Sequence, residues 1–405
     1  MRKTILIISA VFPPEQVTSA FLNYDLARAL AKKYDVTVLT PYPTRPVGAK
    51  FENPVLEGEP FKTVIIDSYT NPKSNLIGRF RESIDMGVKC ARWIKKYHDE
   101  IDFVYDTAWQ LFGVAIVARM AKRYSIPYLV VVQDIYPECI LTQGNKPKIV
   151  KKLIMGLLKP IDMYYQHHAE IVRTISDEMA DYLSTTRKLP RGKYLVVNNW
   201  QNDEDFEGIS NEVPSDKLRF AFVGSINEHA NVDVIIKAFA EAGIPNSELM
   251  VFGGGNKKDY CVELVKQLGL DNVKFDFVKR DQIPLVQSKA SVLVLALPAG
   301  NGNLCLPSKM TSYMLSGKPI LASVDQDSAT TRYIMDAQCG MSVEPDSITS
   351  LVEGFKKMAA MSYAQLQTYA DNSRNYAKQH LTRDANLQIV CQAIDDIVMR
   401  HSQKI

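Results

Sequence analysis

Residues 4–40 read TILIISAVFPPEQVTSAFLNYDLARALAKKYDVTVLT, and the order of patterns in them predicts the fold class. An apolar run over 4–12 is followed by a proline-containing loop, a helical pattern and a second apolar run over 35–40. A strand, a helix and another strand in this order place both strands parallel in one sheet. Because both runs are rich in Val, Ile and Leu, we expect helices on both faces of that sheet.

The same alternation continues through both halves of the chain. Further strands are predicted at 63–67, 103–107, 128–134, 169–176 and 194–199 in the first half, and at 218–224, 248–255, 272–278, 291–298, 319–324 and 340–345 in the second. A polar, acidic stretch at 201–217 interrupts the pattern. The sequence therefore predicts an α/β protein with two Rossmann-like, doubly wound domains that face a cleft.

The length of 405 residues also favours two domains, since single cores rarely grow beyond about 250–300 residues. We expect an N-terminal domain over 1–203 and a C-terminal domain over 204–381. The helical pattern over about 382–405 is a candidate to pack back on the N-terminal domain.

The spacing of the cysteines and the length of the apolar runs indicate the cellular compartment of the protein. The six cysteines are scattered without a Cys-x-x-Cys pair, which favours reduced thiols in a cytosolic protein over a zinc site or a disulfide framework. The first apolar run is short and ends in Pro-Pro-Glu, so it is interpreted as a strand and not as a signal peptide. No run of 18 apolar residues occurs, which predicts that no segment spans a membrane.

The first turn of each domain argues against two common nucleotide-binding classes. A dinucleotide-dependent dehydrogenase needs Gly-x-Gly-x-x-Gly after its first strand. The turn SAVFPPEQVTSAF at 9–21 has no glycine, and FVGSINEHANVD at 222–233 has only Gly224. The P-loop pattern Gly-x-x-x-x-Gly-Lys-Ser/Thr is absent as well.

Three weaker phosphate-binding features follow strands of the second domain. Gly224-Ser225 and the glycines 253–255 each end a strand, where a ligand can approach the backbone. LPSKMTSYMLSGKP at 306–319 predicts a helix that begins at Pro307-Ser308 with a hydroxyl cap and ends at Gly317. Lys309 beside the amides of the first turn makes this helix end a candidate anion site. Each feature alone also fits an ordinary turn or cap.

The order of these motifs resembles the family 4 glycosyltransferases of the GT-B fold, of the bacterial polysaccharide and O-antigen type. FPPEQVTSA, VVVQDIYPE, AEIVRTISDEM and VVNNWQNDEDF are similar to motifs of that family's N-terminal domain. FVGSI, FGGGN, NVKFDFV and LPSKMTSYMLSGKP follow in the order of its donor domain. The resemblance covers most of the chain, and it implies sugar transfer from a nucleotide sugar with retention of anomeric configuration.

The sequence departs from the family pattern at several points. Val17-Thr18-Ser19 stands where the family has a glycine pair, and SINEHANVD at 225–233 lacks the arginine and lysine that often follow this strand. The family's pair of glutamates would fall at Leu304 and Ser312. These departures leave Lys309 as the cation expected to hold the donor diphosphate.

By this resemblance, the second domain binds the nucleotide-sugar donor and the first domain binds the acceptor. The donor-binding candidates are Gly224, Ser225, Gly253, Gly254, Phe277, Val278, Lys279, Pro307, Ser308 and Ser312. The acceptor-binding candidates are Pro14, Glu15, Thr18 and Ser19. A lysine and a helix end supply positive charge, so neither a metal nor another cofactor is expected. The acidic Asp203-Glu204-Asp205 is interpreted as a solvated loop.

Asp134 and Glu138 are the candidates for general acid–base catalysis, and Lys309 is the third catalytic candidate. The two carboxylates lie four residues apart after a predicted buried strand, around a turn that contains Pro137. Asp134 fits a turn cap equally well, and Glu138 fits the start of a helix better than a catalytic role.

Basic residues of the first half predict contact with an anionic membrane surface. Residues 1–200 carry a net charge of +8, and residues 201–405 carry −5. The stretches 71–98 and 144–165 interleave lysine and arginine with large apolar residues, as helices on anionic bilayers do. A packed helix with one solvated basic face is the commoner alternative.

We therefore expect a metal-independent hexosyl- or N-acetylhexosaminyltransferase of bacterial capsule, O-antigen or lipopolysaccharide biosynthesis. Its expected acceptor is a lipid-linked saccharide at the cytoplasmic face of the cell membrane, and no nucleic acid is expected as a partner. Two alternatives stay open: a sugar-nucleotide epimerase of the same fold, and a non-catalytic protein that binds a nucleotide sugar or a lipid.

Overall fold

The computed structural model describes residues 2–15, 17–45, 51, 55–71, 76–109, 111–142, 147–300 and 307–403. The chain forms two compact units. Unit 1 comprises Met1–Asn198 and Asn386–Ile405, and unit 2 comprises Asn199–Ala385.

Unit 1 is a parallel sheet with helices. Its strands are β1 (Thr4–Ser9), β2 (Asp35–Pro41), β3 (Lys62–Ile66), β4 (Phe103–Thr107), β5 (Tyr128–Val131), β6 (Ile171–Thr174) and β7 (Tyr194–Val196). Its helices are α1 (Thr18–Ala31), α2 (Leu76–Tyr97), α3 (Phe112–Arg123), α4 (Glu138–Thr142), α5 (Lys148–His168) and α6 (Asp177–Arg187). In the described ranges, the seven strands lie in the order β3-β2-β1-β4-β5-β6-β7.

The strand order of unit 1 reverses between β1 and β4, the two neighbours at its centre. β1 pairs with β2 from Thr4 opposite Asp35, and with β4 from Ile5 opposite Phe103. The helices that leave β1 and β4 at this point turn to opposite faces of the sheet, which opens a crevice at the carboxyl ends of both strands. The residues of β1 from Ile5 to Ser9 are fully buried, as covered faces require.

Unit 2 repeats this architecture. Its strands are β8 (Leu218–Val223), β9 (Ser247–Phe252), β10 (Val273–Asp276), β11 (Val292–Ala296), β12 (Ile320–Ser323) and β13 (Gly340–Val343). Its helices are α7 (Val232–Ala242), α8 (Lys258–Gln267), α9 (Ile283–Ser288), α10 (Ser308–Leu315), α11 (Ala329–Ala337), α12 (Ile348–Ala359) and α13 (Tyr363–His380). Across the part of unit 2 that is described, the six parallel strands lie in the order β10-β9-β8-β11-β12-β13.

The core of unit 2 includes a cluster of three phenylalanines on one face of the sheet. Phe220 of β8 meets Phe355 of α12 with ring centres 4.8 Å apart, and Phe239 of α7 lies 5.7 Å from Phe355. Both contacts are edge-to-face, the arrangement that aromatic pairs prefer. The cluster fixes α7 and α12 against β8, whose carboxyl end enters the candidate site described below.

The last helix, α14 (Arg383–Ser402), packs in unit 1. Asp395 accepts hydrogen bonds from Lys33 Nζ at 2.7 Å and from the Tyr34 hydroxyl. Asn386 Oδ1 accepts a hydrogen bond from the Asn198 amide at 3.1 Å.

The two parallel-sheet units confirm the predicted α/β fold class, and every predicted strand is present within a few residues of its expected bounds. The acidic loop after unit 1 is solvent-exposed at Glu204 and Asp205, in agreement with its interpretation as a solvated segment, and Asp203 and Glu204 also accept hydrogen bonds from Arg383. Over the described residues, no helix is both long and apolar enough to cross a bilayer.

Lys318 is a fully buried cation of unit 2, two residues after the C-cap of α10. Its Nζ donates a hydrogen bond to the Glu212 carbonyl at 2.6 Å. Burial first, and then the nearby Arg374 charge, lower the pKa of Lys318 from 10.5 to about 8. Below pH 8 the folded protein therefore holds a proton that its interior disfavours.

We predict that the Lys318→Met variant is more stable than the native protein at pH 7, and that this difference shrinks between pH 8 and 10.5. In that window the unfolded chain keeps the lysine proton that the folded chain has released, so native stability gains. The difference in the free energy of unfolding between the two proteins should decrease by about 1–3 kcal/mol over this pH range, because one pKa unit corresponds to about 1.4 kcal/mol. Urea unfolding at each pH measures this difference. Lys266→Met, at a well-exposed lysine, should show no such trend, and a pH-independent difference for Lys318→Met would contradict the prediction.

Candidate functional site

Backbone segments come very close together at the carboxyl edge of the sheet in unit 2. The Gly224 amide, directly after β8, donates to the Phe252 carbonyl at 2.9 Å, and the Gly253 amide donates to the Asp276 carbonyl at 2.9 Å. A Cβ on Gly253 would overlap the carbonyl oxygen of Gly224, and a Cβ on Gly224 would overlap Lys309 Cε. Both glycines also have φ near +150°, so a larger residue would be strained at either position.

α10 begins at Ser308, one residue earlier than a helix capped by the Ser308 hydroxyl would begin. Pro307 occupies the N-cap position, no side chain caps the helix, and Ser308 is the first helical residue with an exposed side chain. The predicted hydroxyl cap is therefore wrong, because the extended backbone of the cap position belongs to a proline. The predicted end is confirmed by Gly317, which has φ +63° one residue after the C-cap.

Lys309 extends from the first turn of α10 across Gly224. Its Nζ lies 5.1 Å from the centre of the Phe222 ring, the aromatic residue near the end of β8. Burial lowers the pKa of Lys309, and no carboxylate of the described residues pairs with it. An ammonium group that is partly desolvated and lacks a carboxylate partner gains strongly from an anionic ligand.

Phe277 lies beside the glycine loop after β9. Its side chain is 68% exposed, and its ring approaches within 3.9 Å of the position that a Cβ on Gly254 would take. Val278 and Lys279 continue past the end of β10, half-buried and exposed respectively. Exposed aromatic surface at a sheet edge where ligands bind is a platform on which a planar ring can stack.

Two further donor-binding candidates contact neighbouring side chains. Ser312 exchanges hydrogen bonds with the buried side chain of Gln287 in α9, at 2.9 and 3.1 Å. The Ser225 hydroxyl is exposed and accepts a hydrogen bond from Asn227 at 3.3 Å. Leu304, the other position of the expected glutamate pair, lies outside the described residues.

In unit 1, a pocket of about 460 Å³ opens at the carboxyl ends of β1, β4 and β5, next to the reversal of strand order. It is lined by Ala10, Val11, Ser19, Asn23, Arg79, Phe80, Ser83, Thr107, Ala108, Trp109, Val131, Gln133, Asp134, Tyr136, Cys139 and Ile140. Asn23 holds the two central strands together here, since its amide donates to Ser9 Oγ at 2.7 Å and to Thr107 Oγ1 at 2.9 Å.

Asp134 contributes a carboxyl group to this pocket. The side chain is reached by solvent, while the protein surrounding the pocket raises its pKa by desolvation. No side chain of the described ranges donates a hydrogen bond to it. A carboxylate with a raised pKa is a stronger proton acceptor than an ordinary aspartate, as general base catalysis requires.

The side chain of Glu138 takes part in a buried network of ion pairs. Arg187, which is fully buried, donates to the two carboxylate oxygens of Glu138 at 2.5 and 2.8 Å and to Asp162 at 2.6 Å. The same guanidinium donates to the Tyr136 carbonyl at 2.7 Å. Glu138 therefore anchors the turn that carries Asp134, and we interpret it as a positioning residue.

In and after the Pro-Pro-Glu loop, some residues hold the loop in place and others line the pocket. Glu15 is buried and accepts hydrogen bonds from the backbone amides of Thr44 at 2.6 Å and Arg45 at 2.9 Å. Ser19 lines the pocket, and its hydroxyl donates to Gln133 at 3.1 Å. Pro14 and Thr18 are half-buried on either side of this loop.

Sequence reasoning identified Ser19 and Asp134 among the pocket residues, and it missed Arg79 and Trp109 among others. Arg79 was counted among the basic residues of a membrane-facing stretch, yet it turns into the pocket beside Trp109. Trp109 carried a usable signal, because it lies two residues after the end of β4, whose neighbour β1 supplies the Pro-Pro-Glu loop.

Two family comparisons match consecutive parts of the chain. Residues 21–204 match the family described as Glycosyltransferase Family 4. Residues 203–380 match the family described as Glycosyl transferases group 1. Among curated proteins, the chain is similar to the probable glycosyltransferase WbjE of Pseudomonas aeruginosa, with 21% identity over 261 residues. That match covers 60% of this chain and 63% of WbjE, which is less than two thirds of the relative's length.

Solved structures share the fold over nearly the whole chain at low sequence identity. Sucrose-phosphate synthase from Thermosynechococcus elongatus has a TM-score of 0.76 at 16% identity, covering 98% of this chain and 100% of its own. HepE from Anabaena, solved with UDP and glucose, has a TM-score of 0.67 at 14% identity, covering 97% and 100%. WaaG, a glycosyltransferase involved in lipopolysaccharide biosynthesis, has a TM-score of 0.62 at 16% identity, covering 95% and 99%.

Each parallel-sheet unit corresponds to one of the two matched families, and the solved neighbours span both units. The chain therefore has the GT-B fold, and each of its two units is similar to one glycosyltransferase family model.

Proposed function

We propose that the protein transfers a sugar from a nucleotide sugar, bound by unit 2, to a saccharide acceptor, bound by unit 1. The observation that carries this proposal is Lys309, a cation without a carboxylate partner in the described structure that crosses Gly224 at the carboxyl edge of a Rossmann-like sheet. A diphosphate is an anion that such a position can hold. The names of the neighbours add support, since HepE is solved with UDP and glucose.

In the proposed mechanism, two side chains of the protein take part in the transfer step. The bond between the anomeric carbon and the diphosphate oxygen breaks, and its electron pair passes to the diphosphate. Lys309 stabilises that charge, so the mechanism needs no metal. The acceptor hydroxyl oxygen bonds to the anomeric carbon, and Asp134 takes the hydroxyl proton. Retention of configuration is proposed on the family resemblance.

We predict that one class of nucleoside diphosphate raises the melting temperature of the protein in EDTA, and that Lys309→Ala abolishes the shift. A ligand bound only by the folded state stabilises it as RT ln(1 + [L]/Kd). The panel comprises the diphosphates UDP, GDP and ADP with their sugar derivatives, and the monophosphate CMP with its sugar derivatives for comparison. Gly224→Ala should lower the affinity at least tenfold, because its methyl group displaces the Lys309 side chain.

Gly269→Ala is the matched control for the glycine variant. Gly269 lies in the same unit at φ +65° with open space around it, so it bears the backbone strain without contact to the site. It should keep the nucleotide shift. No shift with any nucleotide, or an equal shift in Lys309→Ala, would contradict the donor-site assignment.

We predict that Asp134→Asn reduces transfer about 10²- to 10⁴-fold while leaving nucleotide binding unchanged, the usual effect of removing a general base. The assay follows label from the sugar nucleotide into bacterial membrane lipids. In the native protein, the rate should rise with pH through the raised pKa of Asp134, since only the ionised carboxylate accepts the proton. Asp181→Asn, at an exposed aspartate of α6, is the control.

Two results of this assay would redirect the proposal. Full transfer by Asp134→Asn would remove Asp134 from the mechanism. Conversion of the sugar nucleotide without any lipid acceptor would indicate the epimerase.

The proposed acceptor is a lipid-linked saccharide of capsule, O-antigen or lipopolysaccharide biosynthesis, met at the cytoplasmic face of the cell membrane. α5 supports this placement. Its Ile149, Leu153 and Leu157 are 83%, 62% and 64% exposed and follow at intervals of four residues, so they form one apolar stripe. Lys148 and Lys152 are exposed and each precedes a residue of the stripe. A basic helix with an exposed apolar stripe suits an anionic bilayer.

We predict that the protein co-sediments with vesicles containing phosphatidylglycerol and much less with pure phosphatidylcholine. Replacing Ile149, Leu153 and Leu157 by serine should weaken binding at least tenfold, because each apolar side chain inserted contributes about 1 kcal/mol or more. The control replaces Leu268, Leu285 and Met335, exposed apolar residues of unit 2, by serine. Equal binding by both triple variants would contradict the role of α5.

A further inference from the structure

The pairing of β8 with β11, the two strands at the reversal of strand order in unit 2, stops before the strands end. β8 pairs with β9 along all of its six residues, whereas its pairing with β11 ends at Ala221 opposite Leu293. Continued in the same register, this ladder would bond the Val223 amide to the Val294 carbonyl. A side chain takes the place of that bond.

The hydroxyl of Tyr313, a residue of α10, is inserted between the two strands at this point. It accepts a hydrogen bond from the Val223 amide at 2.8 Å. Its own proton faces two acceptors, the Val223 carbonyl at 3.2 Å and the Val294 carbonyl at 3.4 Å. Burial raises the pKa of Tyr313, so the hydroxyl keeps this proton at neutral pH. A single phenol from α10 therefore bonds to the backbone where the ladder would otherwise continue.

Tyr313 and Lys309 contact adjacent residues at the end of β8. The two side chains lie four residues apart in α10 and therefore on the same face of the helix. Tyr313 bonds to the backbone of Val223. The stem of Lys309 runs over the next residue, Gly224, where a Cβ would come within 2.1 Å of Lys309 Cε. The hydroxyl thus fixes α10 one residue away from the place where the lysine crosses the strand.

Lys309 crosses from one face of the sheet to the other. α10 packs on the face where Tyr313 and Val223 belong to one buried cluster. Phe222 points to the opposite face and belongs to a separate cluster there, and Lys309 Nζ lies 5.1 Å from the centre of its ring. Because the lysine stem has a fixed length, the position of the ammonium group depends on how far α10 stands from the end of β8.

We propose that Tyr313 is a positioning residue of the donor site, whose hydroxyl holds α10 at the distance from β8 at which Lys309 reaches the donor diphosphate. This inference rests on the proposed donor site of unit 2. Tyr313 acts through Lys309, since its own side chain has no exposed surface to contact a donor. Without the hydroxyl, the buried Val223 amide loses its partner and regains one only if β8 and β11 close the ladder, which displaces α10.

The first test measures how fast acetic anhydride acetylates Lys309 in the full chain without any ligand, with mass spectrometry as the readout. Tyr313→Phe should raise this rate roughly fivefold or more, the effect of one lost hydrogen bond on the seating of the stem. Lys318, fully buried just after the same helix, should react as slowly as in the native protein. Tyr333→Phe, which removes another tyrosine hydroxyl from the same core cluster, should leave both rates unchanged.

Two results of the labelling would overturn the inference. An unchanged Lys309 rate in Tyr313→Phe would show that the lysine is seated without the hydroxyl. Equal acceleration of Lys309 and Lys318 would show that the hydroxyl only stabilises the fold. If Tyr313→Phe does not fold, hydrogen exchange in the native protein decides: a Val223 amide as protected as the Ala221 amide supports the inserted hydroxyl, and exchange at the rate of an exposed amide overturns it.

Nucleotide titrations connect Tyr313 with the proposed transfer. UDP, GDP and ADP are compared with uridine, guanosine and adenosine, which lack the diphosphate, by ligand-observed NMR. For the pair that the native protein binds, Tyr313→Phe should weaken binding of the diphosphate about tenfold and leave binding of the nucleoside within about twofold, because Lys309 is proposed to contact the diphosphate alone. Equal weakening of diphosphate and nucleoside would contradict an action through Lys309.

The two measurements separate this inference from the proposed function. If the native protein binds no nucleotide while Tyr313→Phe still accelerates the acetylation of Lys309 alone, the proposed donor site fails and the hold of the hydroxyl on α10 stands. If nucleotides bind the native protein and Tyr313→Phe changes neither their affinity nor the Lys309 rate, the donor site stands and the role of Tyr313 fails.

Discussion

Parallel strand pairing is the constraint on which both candidate sites depend. It places the carboxyl ends of all the strands at one edge of the sheet. Each connection between two strands must therefore cross one face of the sheet to reach the start of the next strand. In unit 2 the segments leaving β8 and β9 then come so close that Gly224 and Gly253 leave no room for a side chain. The space so freed is occupied by the stem of Lys309. A lysine that belongs to a different strand–helix connection is thus held against the end of the central strand, and no carboxylate in the described part of the chain pairs with it.

Most of the fold could be predicted because buried parallel strands are nearly continuous apolar runs. Strands such as 128–131 and 292–296 need no information from distant residues to be recognised. Gly317 likewise ends its helix for a local reason, its positive φ. The cap of α10 was predicted wrongly because Pro307 and Ser308 each suit a helix start, and local sequence alone does not distinguish between them.

The candidate site was harder to predict because the roles of its charged residues are set by partners far away in sequence. From the sequence, Glu138 and Glu15 were predicted to face a ligand. In the structure, Arg187 donates hydrogen bonds to Glu138, and the amides of residues 44 and 45 donate to Glu15. Asp134 lies four residues from Glu138 and has no such partner in the described structure. Arg79 and Trp109 are 30 residues apart, and only the folded sheet brings them to one pocket. Local patterns reveal which residues reach a sheet edge, and tertiary contacts decide which of them are available to a ligand.

The return of α14 to unit 1 has a consequence for the order of assembly. The sheet of unit 1 is translated before unit 2, yet the helix that contacts Lys33, Tyr34 and Glu170 is translated after unit 2. Unit 2 ends at Ala385, before most of α14 has been made. A nascent chain therefore holds the complete sequence of its second unit while the first still lacks its closing helix. Unit 1 therefore starts before unit 2 along the chain and is completed after it.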